Sequence, residues 1–119
     1  MALKHIRLEL ARDSEFPDGS AERGYEFYAP LSADGHLDRE EWKNCADQCT
    51  VHRFWLGEGD ERGHLVHRGG GWAFHYEGTD VDPDEPLFKL DRHTLVQGEY
   101  VSILEHDGVQ RTFRVAMVL

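Results

Sequence analysis

A mainly β domain, built as a small antiparallel barrel or a strongly curved sheet of roughly six to eight strands with one amphipathic helix, is the architecture this sequence predicts. Short runs in which apolar and polar residues alternate recur through nearly all of the 119 residues. That is the period of a half-buried strand. Turn residues punctuate the runs, most plainly Gly69-Gly70-Gly71 and His106-Asp107-Gly108, which suit hairpins. A single stretch, around Trp42, repeats its apolar residues at helical spacing.

Taken in order, Ile6, Leu8 and Leu10 alternate with His5, Arg7 and Glu9, so a first strand begins almost at residue 3. Asp13 to Arg23, with Pro17 and Gly19, reads as a surface loop anchored by Phe16. Gly24 to Leu31 then carries Tyr25, Phe27 and Ala29 on one parity, a second strand. Leu37 to Cys49 is the helix. Asp38 and Glu41 have the spacing of a capping box, Leu37 and Trp42 that of a hydrophobic staple, and Trp42, Cys45, Ala46 and Cys49 share a face opposite Arg39, Glu40, Lys43 and Asp47. Trp42 is expected to dock this helix onto or across an open end of the sheet.

Thr50 to Leu56 resumes strand character before an acidic turn at Gly57 to Gly63. Gly63 to Arg68 and Trp72 to Glu77 form a hairpin; a two-glycine turn sets Leu65 opposite Phe74 and His64 opposite His75. Gly78 to Pro86 is a second acidic loop, and Leu87 to Leu95 fits a short strand or an extended connector. Glu99 to Leu104 and Gln110 to Val118 close the chain. With Gly108 left-handed in a three-residue loop, Val101 faces Phe113 and Ile103 faces Arg111.

Thirteen Lys and Arg against twenty-three Asp and Glu give a formal charge of −10, which repels the phosphates a nucleic-acid binder must neutralise and disfavours anionic membrane surfaces. No run approaches the roughly 20 apolar residues of a bilayer span. The amino terminus lacks the continuous apolar core of a secretion signal, and two cysteines are not a disulfide framework. A single, complete, cytoplasmic domain that binds neither nucleic acid nor membrane is the expectation.

The hairpin from Gly63 to Glu77 holds the candidate site. His64, His75 and Glu77 share one face and have the chemistry of a divalent-metal set if a further ligand arrives. The opposite face carries Leu65, His67, Trp72, Phe74 and Tyr76, which reads as core or as the aromatic floor of an apolar cleft beside three glycines. Candidate ligand-binding residues are therefore His64, His67, Trp72, His75 and Tyr76. Asp80, Asp82 and Asp84 imitate the start of a calcium loop, but Glu85 and Asp91 stand where that loop needs Gly and Glu, so a solvated acidic loop is the better account. Cys45 and Cys49 read as buried, inert thiols. No nucleophile elbow, phosphate-binding glycine loop or zincin pair is present, so no catalytic residue and no cofactor is assigned.

The strings Gly-His-Leu-Val-His-Arg-Gly-Gly-Gly-Trp-Ala-Phe-His-Tyr at 63–76 and Gly-Glu-Tyr-Val-Ser-Ile at 98–103 resemble those of a group of short, functionally uncharacterised bacterial proteins, most familiar from alphaproteobacteria. The resemblance extends over the whole chain and implies a bacterial, cytoplasmic origin without implying an activity. Since strands, turns and one capped helix absorb almost every residue, the expected function is a non-catalytic binding or accessory module for a protein or small ligand. The alternatives are a metal-binding protein or metal-dependent enzyme centred on the 63–77 hairpin, and a homodimer formed by edge pairing of the terminal strand, Gln110 to Leu119.

Overall fold

In the computed structural model, which describes residues 3–77, 84–87, 90 and 93–119, eight antiparallel strands close into a barrel in chain order. They are β1 (Leu3–Leu10), β2 (Ser20–Pro30), β3 (Thr50–Trp55), β4 (Glu61–Arg68), β5 (Gly71–Tyr76), β6 (Glu85–Leu87), β7 (Tyr100–Leu104) and β8 (Gln110–Val118). The up-and-down order divides the connections between two ends. The β2–β3, β4–β5 and β6–β7 connections lie at one end; the other four-strand ends are joined by the β1–β2, β3–β4, β5–β6 and β7–β8 loops.

Both hairpin registers follow from their turns. Gly69 and Gly70, at φ of 61° and 80°, form the two-residue turn that places Leu65 opposite Phe74 and His64 opposite His75. Gly108, at φ of 84°, sets Val101 against Phe113 and Ile103 against Arg111. The second strand differs from its expected span: Ser20 to Arg23 belong to β2, because a register shift at Glu9/Leu10 lets Ser20 pair with Leu10. Phe16, in the loop that precedes β2, is indeed an anchor, its ring edge-on to Trp55 at 6.2 Å.

Closure also removes the edge that a homodimer by strand addition would need. β8 pairs with β7 over Gln110–Arg114 and with β1 over Phe113–Val118. Where ladder pairing stops, further backbone bonds cover the strand: Ala11 N to Thr112 O at 3.0 Å on one side, Val115 N to Glu99 O at 2.7 Å on the other. Pairing of Gln110 to Leu119 with a second copy would have to displace these bonds.

Closing so few strands requires sharp bends, and glycine supplies two of them. A Cβ on Gly24 would stand 1.9 Å from the Leu8 carbonyl oxygen, and one on Gly63 1.9 Å from that of His75. No other residue permits such close strand approach.

The helical segment is shorter than its periodicity suggests. Helix α1 covers Arg39–Cys45 and passes into a 3-10 turn at Ala46–Gln48. Asp38 accepts from the Glu41 amide at 3.1 Å, the cap its spacing predicts. Trp42 docks the helix: its indole N–H donates to Leu65 O at 3.0 Å and its ring meets Trp72 edge-on at 5.4 Å. Of the two thiols, Cys49 is fully buried, whereas Cys45 is only half-buried.

Ile6, Leu8, Phe27, Leu65, Phe74, Ile103 and Phe113 fill the barrel without exposure. Each such side chain contributes about 1.5–3 kcal/mol through burial. Tyr25, also at 0% exposure, lies among them with Phe74 and Phe113 at 5.1 and 5.2 Å. No described helix is long and apolar enough to cross a membrane.

Candidate functional site

The predicted site residues divide between the two faces of the β4–β5 hairpin. His64 and His75 are cross-strand neighbours on the outer face, but each faces its own carboxylate. His64 Nδ1 lies 3.0 Å from Glu77, while His75 Nδ1 lies 2.7 Å from Asp84, which Arg68 also contacts at 3.0 Å. Among the described residues no group of three or more His, Cys, Asp or Glu is arranged to hold a metal ion. Trp72 and Tyr76 point inward and are buried. His67 packs edge-on against Trp72 at 4.8 Å, near Trp42. The aromatic face is thus packed core, with its three turn glycines in open space. Asp80, Asp82 and Asp91 of the calcium-like segment lie outside the described residues.

The outer face continues across β1 to β4 into a surface groove of about 440 Å³, lined by His5, Tyr28, His52, Arg62, His64 and Glu77 among others. It forms where the sheet bends at Gly63, itself in the lining. His5 stacks on the half-exposed Tyr28 ring at 4.7 Å and 15°, giving one flat aromatic wall. Glu26 beneath it is occupied by His5 at 3.2 Å and by the Arg7 guanidinium. These bonds and the charge of Arg7 outweigh the burial that opposes ionisation, and hold the Glu26 carboxyl below its usual range. Arg62, across the groove and exposed, has no carboxylate partner among the described residues.

Inside the barrel, at the end bearing the β7–β8 loop, lies a polar network that reading the hairpins did not reveal. Glu85, Glu105, Arg53 and Arg111 are all buried there. Glu105 receives Arg111 at 2.6 Å, Arg53 at 3.2 Å and the Tyr25 hydroxyl at 2.5 Å. Glu85 accepts the Tyr76 hydroxyl on one oxygen and, on the other, the His106 backbone N–H and ring Nδ1, each at 2.8 Å. Tyr25 links the two clusters, its oxygen 3.1 Å from Glu85. Both guanidiniums also lie over Trp55, at 4.4 and 5.3 Å.

The electrostatics follow from this enclosure. Burial, then the neighbouring phenol and carboxylates, raise the pKa values of Tyr25 and Tyr76 well above normal, so both remain donors. For His106 burial opposes the protonated ring, but the Glu85 hydrogen bond and the charges of Glu61 and Glu85 prevail and raise its pKa. Two guanidiniums thereby offset two carboxylates, the condition under which buried charge is tolerated. A signal for this network did exist in the chain: Arg53 between Val51 and Trp55, and Arg111 before Phe113 and Val115, occupy inward parity. Chemically the arrangement is saturated, every oxygen of both carboxylates being engaged by a donor.

No known protein family matches the chain, and neither a curated protein nor a solved structure does.

Proposed function

We propose that this protein is a non-catalytic binding module that takes a small polar ligand in the outer groove across β1 to β4. The observation that carries the reading is the contrast between the two polar regions. Titratable groups inside the barrel are engaged with one another, whereas the groove, within the size range of ligand pockets, presents an aromatic wall at His5 and Tyr28 and, at Arg62, a guanidinium with no carboxylate partner among the described residues. A planar ligand with an acidic group suits that pairing: its ring stacks on Tyr28 while its charge meets Arg62.

Titration of isotopically labelled protein with a set of small aromatic and aliphatic acids tests this. Amide shifts clustered at residues 5, 28, 52, 62 and 64, and lost in Arg62→Ala, are expected. Turnover of a hydrolase or oxidoreductase substrate, abolished by Glu85→Gln or Tyr25→Phe in a folded protein, would overturn it.

The cross-strand placement of His64 beside His75 keeps a second reading in view, a divalent-metal protein that uses Glu77 as well. It requires Glu77 and Asp84 to exchange their imidazole partners for an ion. Protein purified without a histidine tag would then carry stoichiometric metal that His75→Ala loses; metal-free protein with no affinity for added zinc removes this reading.

A further inference from the structure

The two cysteines come together where the helical segment changes character. α1 ends at Cys45, the 3-10 turn runs from Ala46 to Gln48, and Cys49 follows before β3. This tightening brings the Cys45 and Cys49 sulfurs to 3.9 Å. They are held there by separate contacts, Cys45 Sγ to Glu41 O at 3.3 Å and Cys49 Sγ to Cys45 O at 3.4 Å. The nearest of these partners are backbone carbonyls, which neither block nor consume a sulfur. A disulfide needs the sulfurs at about 2.05 Å, a closure that a side-chain rotation at half-buried Cys45 can supply.

We propose that Cys45 and Cys49 form a reversible modification site, in which a peroxide converts the pair to an intramolecular disulfide that locks α1 to the start of β3. Their unequal exposure assigns the roles. Cys45 is the less buried residue of the two, so its thiolate attacks the peroxide: an S–O bond forms, the O–O bond breaks, and the leaving oxygen takes a proton to become water. Cys49 then attacks the sulfur of the Cys45 sulfenic acid. The S–S bond forms, the S–O bond breaks, and the departing hydroxide takes the Cys49 proton to give a second water. Two thiols are oxidised by two electrons and one hydrogen peroxide is reduced to two waters.

Burial, reinforced by Cys45, pushes the Cys49 thiol up to about 12. It is therefore a poor nucleophile toward peroxide in solution, and joins the reaction through its 3.9 Å contact with Cys45, giving up its proton as the S–S bond forms. Closure at this point acts on the element that Trp42 docks to Leu65 and Trp72. A bond spanning five residues is a local lock and not a fold-wide staple, because the loop it closes is short. In a reducing compartment such a bond is transient, which suits a modification reversed by thiols.

The test is intact-mass and peptide-mapping analysis of the folded full chain after hydrogen peroxide, with and without subsequent dithiothreitol. The expected product has lost two hydrogens, maps to a Cys45–Cys49 link, and returns to the starting mass on reduction. Cys49→Ser, with Cys49→Ala as the alternative if the buried hydroxyl unfolds the chain, should instead accumulate a dimedone-reactive sulfenic acid at Cys45. Cys45→Ser should leave Cys49 unmodified. Direct passage of Cys45 to sulfinic acid in the native chain, disulfide-linked dimers in place of the internal bond, or two thiols that stay free would each overturn the proposal.

Discussion

Glu105→Gln tests the buried network most directly, because it removes one charge while keeping the shape. The carboxylate is fully enclosed and takes Arg111 at 2.6 Å and Arg53 at 3.2 Å. After the change Arg53, whose side chain is 4% exposed, keeps the half-exposed Glu58 at 3.3 Å as its one ion-pair contact among the described residues. Arg111 fares better, retaining Glu15 and Asp107 at 3.0 Å each. The loss is therefore that of stranding about one buried cation, about 3–5 kcal/mol. For a chain of this length, with an unfolding entropy of about 2.1 cal/mol/K per residue, each kcal/mol moves the midpoint by about 4 °C, so Tm should fall by about 12–20 °C. Urea unfolding followed by tryptophan fluorescence gives the free energy independently. Substituting Arg53→Met and Arg111→Met in the same variant should restore about half of the loss or more, since apolar replacement of a buried ion cluster is close to neutral. A single-variant loss under about 1 kcal/mol, or a triple variant less stable than the single one, would refute the reasoning that charge compensation holds this end of the barrel together.

Three further outcomes follow from other positions. Because Glu85 and Glu61 raise the His106 pKa above its usual 6.5, the stabilisation from the charged ring is fully present below about pH 6.5 and is lost as pH rises through the folded-state value; the free-energy difference between wild type and His106→Gln should show that decline, and a difference flat from about pH 5 to about pH 9 would contradict it. Gly63→Ala should cost about 3 kcal/mol or more, because its Cβ would meet the His75 carbonyl at 1.9 Å, whereas Gly71→Ala, with nothing within 4 Å, should stay within about 0.5 kcal/mol in the same denaturation assay. Trp42→Phe should lose about 1–2 kcal/mol with the indole bond to Leu65 O, and faster amide exchange confined to residues 39–49 would locate the effect at α1.

Local rules made the hairpins and the cap legible. Gly69-Gly70 and Gly108 determine their registers because a tight turn leaves few ways to align the strands beside it. Asp38 caps its helix through a bond spanning three residues. The helix was overestimated at its C-terminal side for a related reason: periodicity shows which residues share a face, but not where hydrogen bonding tightens into a 3-10 turn, as it does after Cys45. Of the candidate residues, His64 and His75 were correctly placed on one face and opposite each other, while their division between Glu77 and Asp84 depended on how the chain returns to β5 after the β5–β6 connection.

By itself, then, the sequence determined most of the strands, their alternation, both hairpin registers and the helix cap, all of which depend on neighbours within a few residues, whereas β6 at Glu85–Leu87 lies largely in a segment that reads as an acidic loop. Tertiary structure alone decided closure of β8 onto β1 and the meeting of Tyr25 with Glu85 and Glu105, contacts spanning 60 and 80 residues. Alternation marks which side of a strand faces inward, but it says nothing about which strand arrives opposite. Whether an inward charge such as Arg53 or Arg111 is compensated is settled only when a closed barrel brings its counter-ion to the same end.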